Sequence, residues 1–192
     1  MKNYALSSLF IIGVLITSTP TIAANYIIDT QGAHASITFK IKHLGYSWLT
    51  GRMNRFEGKF NYDENNISDA KINVTVDLSS IDTNHAEREK HIKSEKYLDA
   101  KAFSNVTFSS TRVKDKGNNQ LEINGDLILH GIKKNIVINA VKIGSGDDPW
   151  GNYRIGFEGK TTLKLKDFGY TFDLGPASQQ VELTLNIEGI RQ

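Results

Sequence analysis

Apolar and polar residues alternate along most of this chain, and that period of two constrains its fold more than any other feature. Near the start, for example, Ile37, Phe39 and Ile41 are separated by polar residues, and the same pattern returns at 180–188. Because the side chains of a strand point alternately to its two faces, this pattern is typical of strands that bury one face. The chain therefore predicts an all-β protein with roughly eight strands, most of them joined by short turns.

Sequential antiparallel strands with one apolar face fold into a sandwich or a closed barrel. Closure removes exposed sheet edges, and a barrel of about eight strands encloses room for side chains or for one slender ligand. Long strand patterns at 53–62 and 153–167 favour a hollow barrel, as do small residues such as Gly58 and Gly125 at inward positions. The alternative is that these glycines only ease the bending of strands.

Two segments depart from simple alternation. Residues 136–143 are apolar at nearly every position and predict a strand that is covered on both faces. Residues 45–51 are rich in aromatic side chains and bounded by glycines, which predicts a loop.

The stretch 82–103 breaks the alternation altogether. Asn84 followed three residues later by Glu87 fits a capping box, which predicts a short helix that begins near His85. Ser94 is placed to cap a second helical turn. Because a helical insertion in a β chain covers an open end, a sheet edge or a ligand mouth, we expect a helical lid near residues 84–103.

The first 23 residues have the pattern of a secretory signal peptide. Lys2 supplies the positive start, residues 6–16 are mostly apolar, and small residues precede a cleavage site after Ala23. The apolar run is short for a transmembrane helix. We therefore expect one domain at 24–192, export from the cytoplasm and no stable insertion into a membrane.

Charge and cysteine content narrow the possible functions. The chain carries 23 Lys plus Arg against 21 Asp plus Glu, a balance that gives no long-range attraction to nucleic acid or to an anionic membrane. Thiol catalysis, thiolate metal sites and disulfides are excluded because the chain contains no cysteine.

The histidines of the insertion do not have the spacing of metal ligands. His85 and His91 are six residues apart, so on a helix they do not share a face as zinc ligands at i and i+4 do. We predict no metal and no cofactor, and expect these histidines to hold the helix against the barrel by hydrogen bonds. An alternative is a cell-envelope enzyme that uses His85, His91 and Glu89 as a metal or acid/base site.

Recognisable nucleophile motifs are missing from the sequence, so we predict no enzymatic activity. The carboxylate pair Asp147 and Asp148 precedes Pro149 and predicts a solvated turn.

Three arginines lie near the aromatic loop and the helix. Arg52 and Arg55 follow the loop, and Arg88 belongs to the helix. If loop and helix cover the same barrel mouth, these guanidinium groups are suited to a polar or phosphorylated head group. The alternative is ordinary surface ion pairing with Glu87 or Glu89.

Trp48 and Trp150 are predicted to lie in loops, where they would line or cover the cavity or plug one end of the barrel. They would also form the contact surface of a further alternative, a non-catalytic, stress-related interaction module.

Several strings are more specific than composition or periodicity. Residues 82–91 read DTNHAEREKH, residues 147–151 read DDPWG, and residues 173–179 read DLGPASQ. With the HLG string at 43–45, they resemble the YceI-like family over essentially the whole mature chain, and the exported, periplasmic branch most closely. The resemblance implies a lipocalin-like antiparallel β-barrel with a helical lid. It also implies that the barrel holds a long polyisoprenoid chain, such as a quinone tail or a prenyl diphosphate.

We therefore expect a periplasmic lipid-binding protein that holds a prenyl quinone or prenyl phosphate in its lumen, for transport, storage or stress response. Its partner is the isoprenoid lipid, nucleic acid is excluded, and an exposed first or last strand could pair two barrels into a homodimer. Barrel geometry supplies the predicted lumen and mouth residues, which are Phe39, Ile41, Trp48, Arg52, Phe56, Val76, His85, Arg88, His91, Phe108, Leu127, Phe157 and Leu183.

Overall fold

The computed structural model describes residues 23–171 and 175–192. Apart from Ala23, the predicted signal peptide lies outside the described residues. The strands are β1 (Ala24–Ile28), β2 (Ser36–His43), β3 (Ser47–Met53), β4 (Phe56–Tyr62), β5 (Ile72–Asp77), β6 (Ile81–Asp82), β7 (Asn105–Gly117), β8 (Gln120–Leu129), β9 (Ile132–Asp147), β10 (Tyr153–Lys164) and β11 (Gln180–Arg191). The helix α1 spans Ala86–Lys93, and short 3-10 turns lie at Ile67–Asp69, Leu78–Ser80, Leu165–Phe168 and Pro176–Ser178.

The strands close into an antiparallel barrel. The ring runs β1-β4-β5-β7-β8-β9-β10-β11 and returns from β11 to β1. The remaining strands β2, β3 and β6 prolong β1, β4 and β5, because β2 pairs with β11 and β3, and β3 pairs with β6. Each pair β1–β2, β3–β4 and β5–β6 is thus one long strand with an interruption. The predicted barrel of about eight strands is confirmed.

The two ends of the barrel differ in what they carry. The lower end has the turns 63–71, 118–119 and 148–152, together with the C-terminus. The upper end has the β2–β3 turn, the insertion that contains α1, the turn at 130–131 and the segment between β10 and β11.

Alternation produces the barrel wall as predicted. In β8, the odd-numbered residues from Leu121 to Leu129 are buried and the even-numbered ones are half-buried or exposed. Gly125 interrupts this apolar row for a steric reason: a Cβ there would lie 2.3 Å from Cζ of Phe108. The phenyl ring fills the space that a side chain at 125 would occupy.

Aromatic rings fill the lower half of the barrel. The rings of Tyr26 and Phe60 stack with centroids 5.1 Å apart, and Phe157 meets Phe60 and Tyr62 edge-on at 5.9 and 5.4 Å. An ion pair between Lys142 and Glu64 lies beside Tyr62. Rings in this geometry attract one another beyond their burial, so they stabilise this end of the barrel.

An ion cluster around Arg154 joins neighbouring strands and loops on the outer face, near the lower end. The Arg154 guanidinium donates to Asp29 at 2.7 Å, to Asp148 at 2.5 Å and to Glu188 at 2.5 Å. It thereby links the β1–β2 loop and the β9–β10 turn to β11. The predicted solvated turn is exposed at Asp147, but the prediction was wrong for Asp148, whose side chain is only 6% exposed because an arginine on the next strand covers its carboxylate.

Three predictions about strands and loops were wrong. The predicted loop at 45–51 contains most of β3, so Trp48 lies in a strand. The predicted strand at 53–62 is interrupted at 54–55, where the amides of both residues bond to Ser80 instead of to a neighbouring strand. In the segment 136–143, one face is exposed at Val137, Val141 and Ile143, so the apolar run does not mean cover on both sides.

The aromatic filling predicts a large stability difference between two substitutions near the lower end. Phe60→Ala removes a buried ring that contacts two others, and should lower the free energy of unfolding by about 3–5 kcal/mol. Ile27→Ala on the outer face of β1 removes an exposed side chain and should cost less than about 1 kcal/mol. Urea unfolding of both variants measures the difference, and equal losses would contradict the packing described.

The ion cluster predicts a dependence of stability on pH. Burial alone would raise the pKa of Asp29, but hydrogen bonds from His34, Arg154 and the Gly32 amide lower it to about 2. The ionised carboxylate therefore stabilises the fold fully above its unfolded pKa of about 3.9, and this contribution is lost as pH falls toward 2. Asp29→Asn should lose less stability than the wild type between about pH 5 and pH 2 in urea unfolding. Asp147→Asn, at the exposed residue next to Asp148, is the control and should behave like the wild type. If the stability of Asp29→Asn fell with pH as steeply as that of the wild type, Asp29 would not be the carboxylate responsible.

Candidate ligand-binding site

The upper half of the lumen is lined by aliphatic side chains that are only half-buried. Leu183 and Leu185 of β11 lie opposite Phe39 and Ile37 of β2 and share their inward face. Ile41 on the same face of β2 is also half-buried. Leu183, Leu185 and Ile41 therefore keep some solvent contact although they face inward.

The barrel wall opens beside this space. Pairing between β9 and β10 ends at Asn139 and Lys160, so residues 132–138 and 161–164 are not paired with each other. We call this opening the wall gap. Among the described residues, one side-chain hydrogen bond spans it, from Thr161 Oγ1 to the carbonyl oxygen of Val137 at 2.8 Å.

A cavity of about 690 Å³ lies at the wall gap, a volume within the usual range of small-molecule sites. Its inward lining is mostly apolar, and its polar lining includes four lysines and the carboxylates of Asp167 and Glu182. The inward residues include Ile136, Leu163, Phe168 and Leu183, and the lysines are Lys40, Lys134, Lys160 and Lys164.

A second, shallower cavity of about 430 Å³ lies where β2, β3 and β6 meet the insertion. Gly51 and Phe39 both line it, and the Phe39 ring takes the space that a side chain at 51 would occupy, since a Cβ there would lie 2.4 Å from Cζ of Phe39. Arg52 lies opposite Asp82 across the β3–β6 pair, so its guanidinium borders this cavity beside Thr83 and Asn84.

The DTNHAEREKH string builds the turn that leads into α1. Glu89 Oε1 accepts from the Thr83 amide at 2.7 Å, the Thr83 hydroxyl at 3.2 Å and the His85 amide at 3.1 Å. Arg88 donates to the hydroxyl and the carbonyl oxygen of Thr83 at 3.0 and 2.6 Å. The backbone amides of Thr83 and His85 lower the pKa of the Glu89 carboxyl because they stabilise its charged form.

The helix cap differs from the predicted one. The N-cap is His85, whose Nδ1 accepts from the Arg88 amide at 3.2 Å, while Asn84 has a positive φ of 60°. The predicted capping box of Asn84 and Glu87 was therefore wrong. The N-cap is one residue later than predicted, and Glu89, not Glu87, accepts the hydrogen bond from the N-cap amide. Ser94 is the C-cap of α1 and not the start of another helix.

The predicted metal and head-group residues of the insertion are engaged locally or exposed. His85 caps its own helix, His91 is exposed near the Tyr97 ring, and Arg88 bonds to Thr83. In the described part of the chain, His85, His91 and Glu89 are not close enough to share a metal ion. Arg55 pairs with Asp77 at 2.8 Å and not with the glutamates of the helix.

The described side chains that do lie close enough for a shared metal ion are Asp29, His34 and Glu188. Arg154 already occupies that position, because its guanidinium donates to both carboxylates. We assign this group to the ion cluster.

The upper end is covered by the segment after α1 more than by α1 itself. No residue of α1 is buried, whereas Leu98 and Ala100 pack against the core. Phe103 and Tyr170 contact the imidazole of His130 at 4.5 and 4.7 Å between ring centroids. Burial raises the pKa of Tyr170 to about 12, which is consistent with an apolar upper end.

The predicted site residues fall into three groups. Seven inward-facing residues line the upper and middle lumen, namely Phe39, Ile41, Phe56, Val76, Phe108, Leu127 and Leu183. Phe157 belongs to the aromatic filling of the lower half. Trp48 and Arg52 are exposed on the outer face of β3, and His85, Arg88 and His91 belong to the α1 turn and helix. Contact of any of them with a ligand remains a prediction.

Sequence reasoning missed the wall gap and its lysines. Residues 161–164 alternate as in any paired strand, so nothing in the sequence marks the end of their pairing with β9. For the contacts of Phe103 and Tyr170 with His130, the sequence contained one signal, the His-Gly pair at 130–131, which predicts a turn. In the structure its positive φ angles of 54° and 72° fit a tight hairpin.

The Glu89 bonds predict a local effect of mutation. Glu89→Ala should speed hydrogen exchange at the amides of Thr83 and His85 by roughly tenfold or more, because both lose their acceptor. Glu87→Ala, on the exposed side of the same helix turn, is the matched control and should leave both rates unchanged. Equal exchange in the two variants, measured by NMR, would show that Glu89 does not organise the turn.

None of the helices in the described ranges is long and apolar enough to cross a membrane.

Comparison with known proteins agrees with the barrel and with the motif strings. The family model of the YceI-like domain matches residues 26–189. A UPF0312 protein of Shewanella baltica is 54% identical over 193 residues, and one of Pseudomonas aeruginosa is 53% identical over 192 residues. Each alignment covers 100% of this chain and 100% of the relative.

Solved structures share the fold. The YCEI protein of Campylobacter jejuni is 25% identical, with a TM-score of 0.71 over 80% of this chain and 91% of that chain. BcnA of Burkholderia cenocepacia is 16% identical, with a TM-score of 0.74 over 84% and 98%. A polyisoprenoid binding domain from Saccharophagus degradans, implicated in plant cell wall breakdown, is 14% identical, with a TM-score of 0.61 over 89% and 100%. The last two structures show a common fold alone. The relatives aligned over their whole length and the match to the domain model show that this chain belongs to the YceI-like family.

Proposed function

We propose that this protein is a periplasmic carrier that holds a long isoprenoid lipid, of the prenyl quinone or prenyl phosphate type, in the upper lumen. The observation that carries the proposal is the half-buried aliphatic lining around Leu183, which is reached from outside through the wall gap. The signal-peptide pattern at 1–23 supports the periplasm as the compartment.

The chemistry of the lumen suits a hydrocarbon chain. Transfer of apolar carbon from water is favourable by about 0.8 kcal/mol per CH₂, so each five-carbon isoprene unit gains roughly 3–4 kcal/mol before the costs of binding. The inward rows of β2 and β11 supply Ile, Phe, Val and Leu side chains for such a chain. The aromatic filling below Phe157 sets the depth that the chain can reach.

The wall gap suits the polar head. Lys40 and Lys160 at its rim are paired with Glu182 and Glu158. Lys134 and Lys164 form no ion pair with another described residue. Two such ammonium groups can donate hydrogen bonds to a quinone carbonyl or to a phosphate that remains at the surface while the chain lies inside.

A binding role without catalysis is consistent with the rest of the site. The residues of the enzymatic alternative, His85 and Glu89, are used as a helix cap and a turn acceptor. Family membership and the polyisoprenoid binding described for the Saccharophagus degradans neighbour support the lipid class. A carrier of this kind would serve transport or storage, because long prenyl chains are insoluble in an aqueous compartment.

A bulky residue in the lumen should block the ligand. Leu183→Trp places an indole in the half-buried inner row, and should weaken binding of a prenyl quinone and of a prenyl phosphate by about tenfold or more, since overpacking leaves less room for the chain. Asn186→Trp puts the same side chain on the exposed outer face of β11 and is the matched control. Co-elution of lipid with lipid-stripped protein in gel filtration measures binding, with circular dichroism to confirm that both variants are folded.

Two results would oppose the proposal. Equal loading of Leu183→Trp, Asn186→Trp and wild type would show that the lumen is not the site. Failure of the folded wild type to take up either lipid would reject an isoprenoid cargo.

A further inference from the structure

The tip of the β2–β3 hairpin exposes three large apolar or aromatic side chains. Leu44 is 54% exposed, Tyr46 87% and Trp48 46%. Tip and strands are held in place, because the Tyr46 amide donates to the His43 carbonyl at 3.0 Å and the Ser178 hydroxyl donates to the Lys42 carbonyl at 2.5 Å. These side chains are therefore presented to solvent by an ordered turn.

The turn is a tight two-residue hairpin, in which Leu44 and Gly45 have positive φ angles of 50° and 85°. Leucine seldom adopts this region, and here its exposed side chain contributes no burial to the fold. An exposed group of apolar side chains points to a role outside the barrel.

The charge of the hairpin is one-sided. Residues 36–53 contain Lys40, Lys42 and Arg52 but neither aspartate nor glutamate. The ammonium groups of Lys40 and Lys42 lie 4.5 and 5.5 Å from the centroid of the Trp48 ring, so basic and aromatic groups share one face. Lys40 is paired with Glu182 of β11, so Lys42 is the lysine of this face that carries no ion pair with another described residue.

We propose that the hairpin tip docks on the surface of an anionic phospholipid bilayer, with Leu44, Tyr46 and Trp48 in the interface and Lys42 at the lipid phosphates. Tryptophan and tyrosine favour the level of the head groups, and lysines next to them are attracted by anionic lipids. A protein partner fits less well, because a stable protein interface needs about 800 Å² on each side and three side chains at a hairpin tip offer little of it. A bilayer needs no matching shape.

Docking would place the upper lumen at the membrane, since Phe39 and Ile41 of the same hairpin line it. The inference goes beyond the proposed cargo and does not depend on it, because attachment to vesicles can be measured with or without a bound lipid.

The chain contains two tryptophans, one at each end of the barrel, which provides a reporter and its control. Trp150→Phe leaves Trp48 as the only indole, and Trp48→Phe leaves Trp150, which is 76% exposed at the lower end. With vesicles of phosphatidylglycerol and phosphatidylethanolamine, the emission of Trp48 should shift to shorter wavelength and that of Trp150 should not. The shift should weaken at high salt and with pure phosphatidylcholine vesicles.

Sedimentation with the same vesicles tests the residues. Lys42→Gln should weaken attachment roughly fivefold, the effect of one lysine at an anionic surface. Lys59→Gln, an exposed lysine on β4, should leave attachment unchanged. The proposal is overturned if Trp48 emission does not move, if both tryptophans shift alike, or if phosphatidylcholine vesicles bind equally well. Failure to load a prenyl lipid would leave these readouts intact, so the two proposals fail separately.

Discussion

The structure depends on β11, which closes the ring by pairing with two successive strands on one side. Its first half pairs with β2 and its last residues pair with β1, while β10 pairs along its whole other edge. Closure satisfies backbone groups that would otherwise form exposed edges. β1 and β2 are one long strand interrupted at 29–35, so β11 pairs with β1 near the lower end and with β2 near the upper end.

That division explains how one architecture can be both stable and able to hold a ligand. The stacked rings of Tyr26, Phe60 and Phe157 and the Arg154 ion cluster stabilise the lower half. The upper half is packed less completely at two places. Leu183 and Leu185 are half-buried, and β9 and β10 separate beyond Asn139. Inward aliphatic rows with an open wall are what a carrier of an apolar chain requires, whereas a solid core would exclude it.

Much of the fold could be predicted from the sequence, because alternation reports directly on which side chains face inward. The inward rows of β2, β5, β8 and β11 were identified in this way, and the helical insertion was placed to within a few residues. Glycine was less informative: Gly51 suggested a loop, yet it lies in a strand where the Phe39 ring covers it. The YceI-like strings identified the family, although the most specific of them builds a turn around Glu89 and not a cavity wall.

The wall gap and the ion cluster could not have been predicted. Both depend on which strands lie side by side and on where their pairing stops. Arg154 and Asp29 are separated by more than a hundred residues and meet only because β10, β11 and β1 are neighbours in the ring.

The measurement that tests the central claim most directly is native mass spectrometry of the protein purified from cells, followed by organic extraction. The account predicts a bound mass that extracts as a prenyl quinone or a prenyl phosphate, and that is missing from the folded Leu183→Trp variant. Protein that has its bare polypeptide mass, and keeps it after incubation with both lipids, would contradict the account.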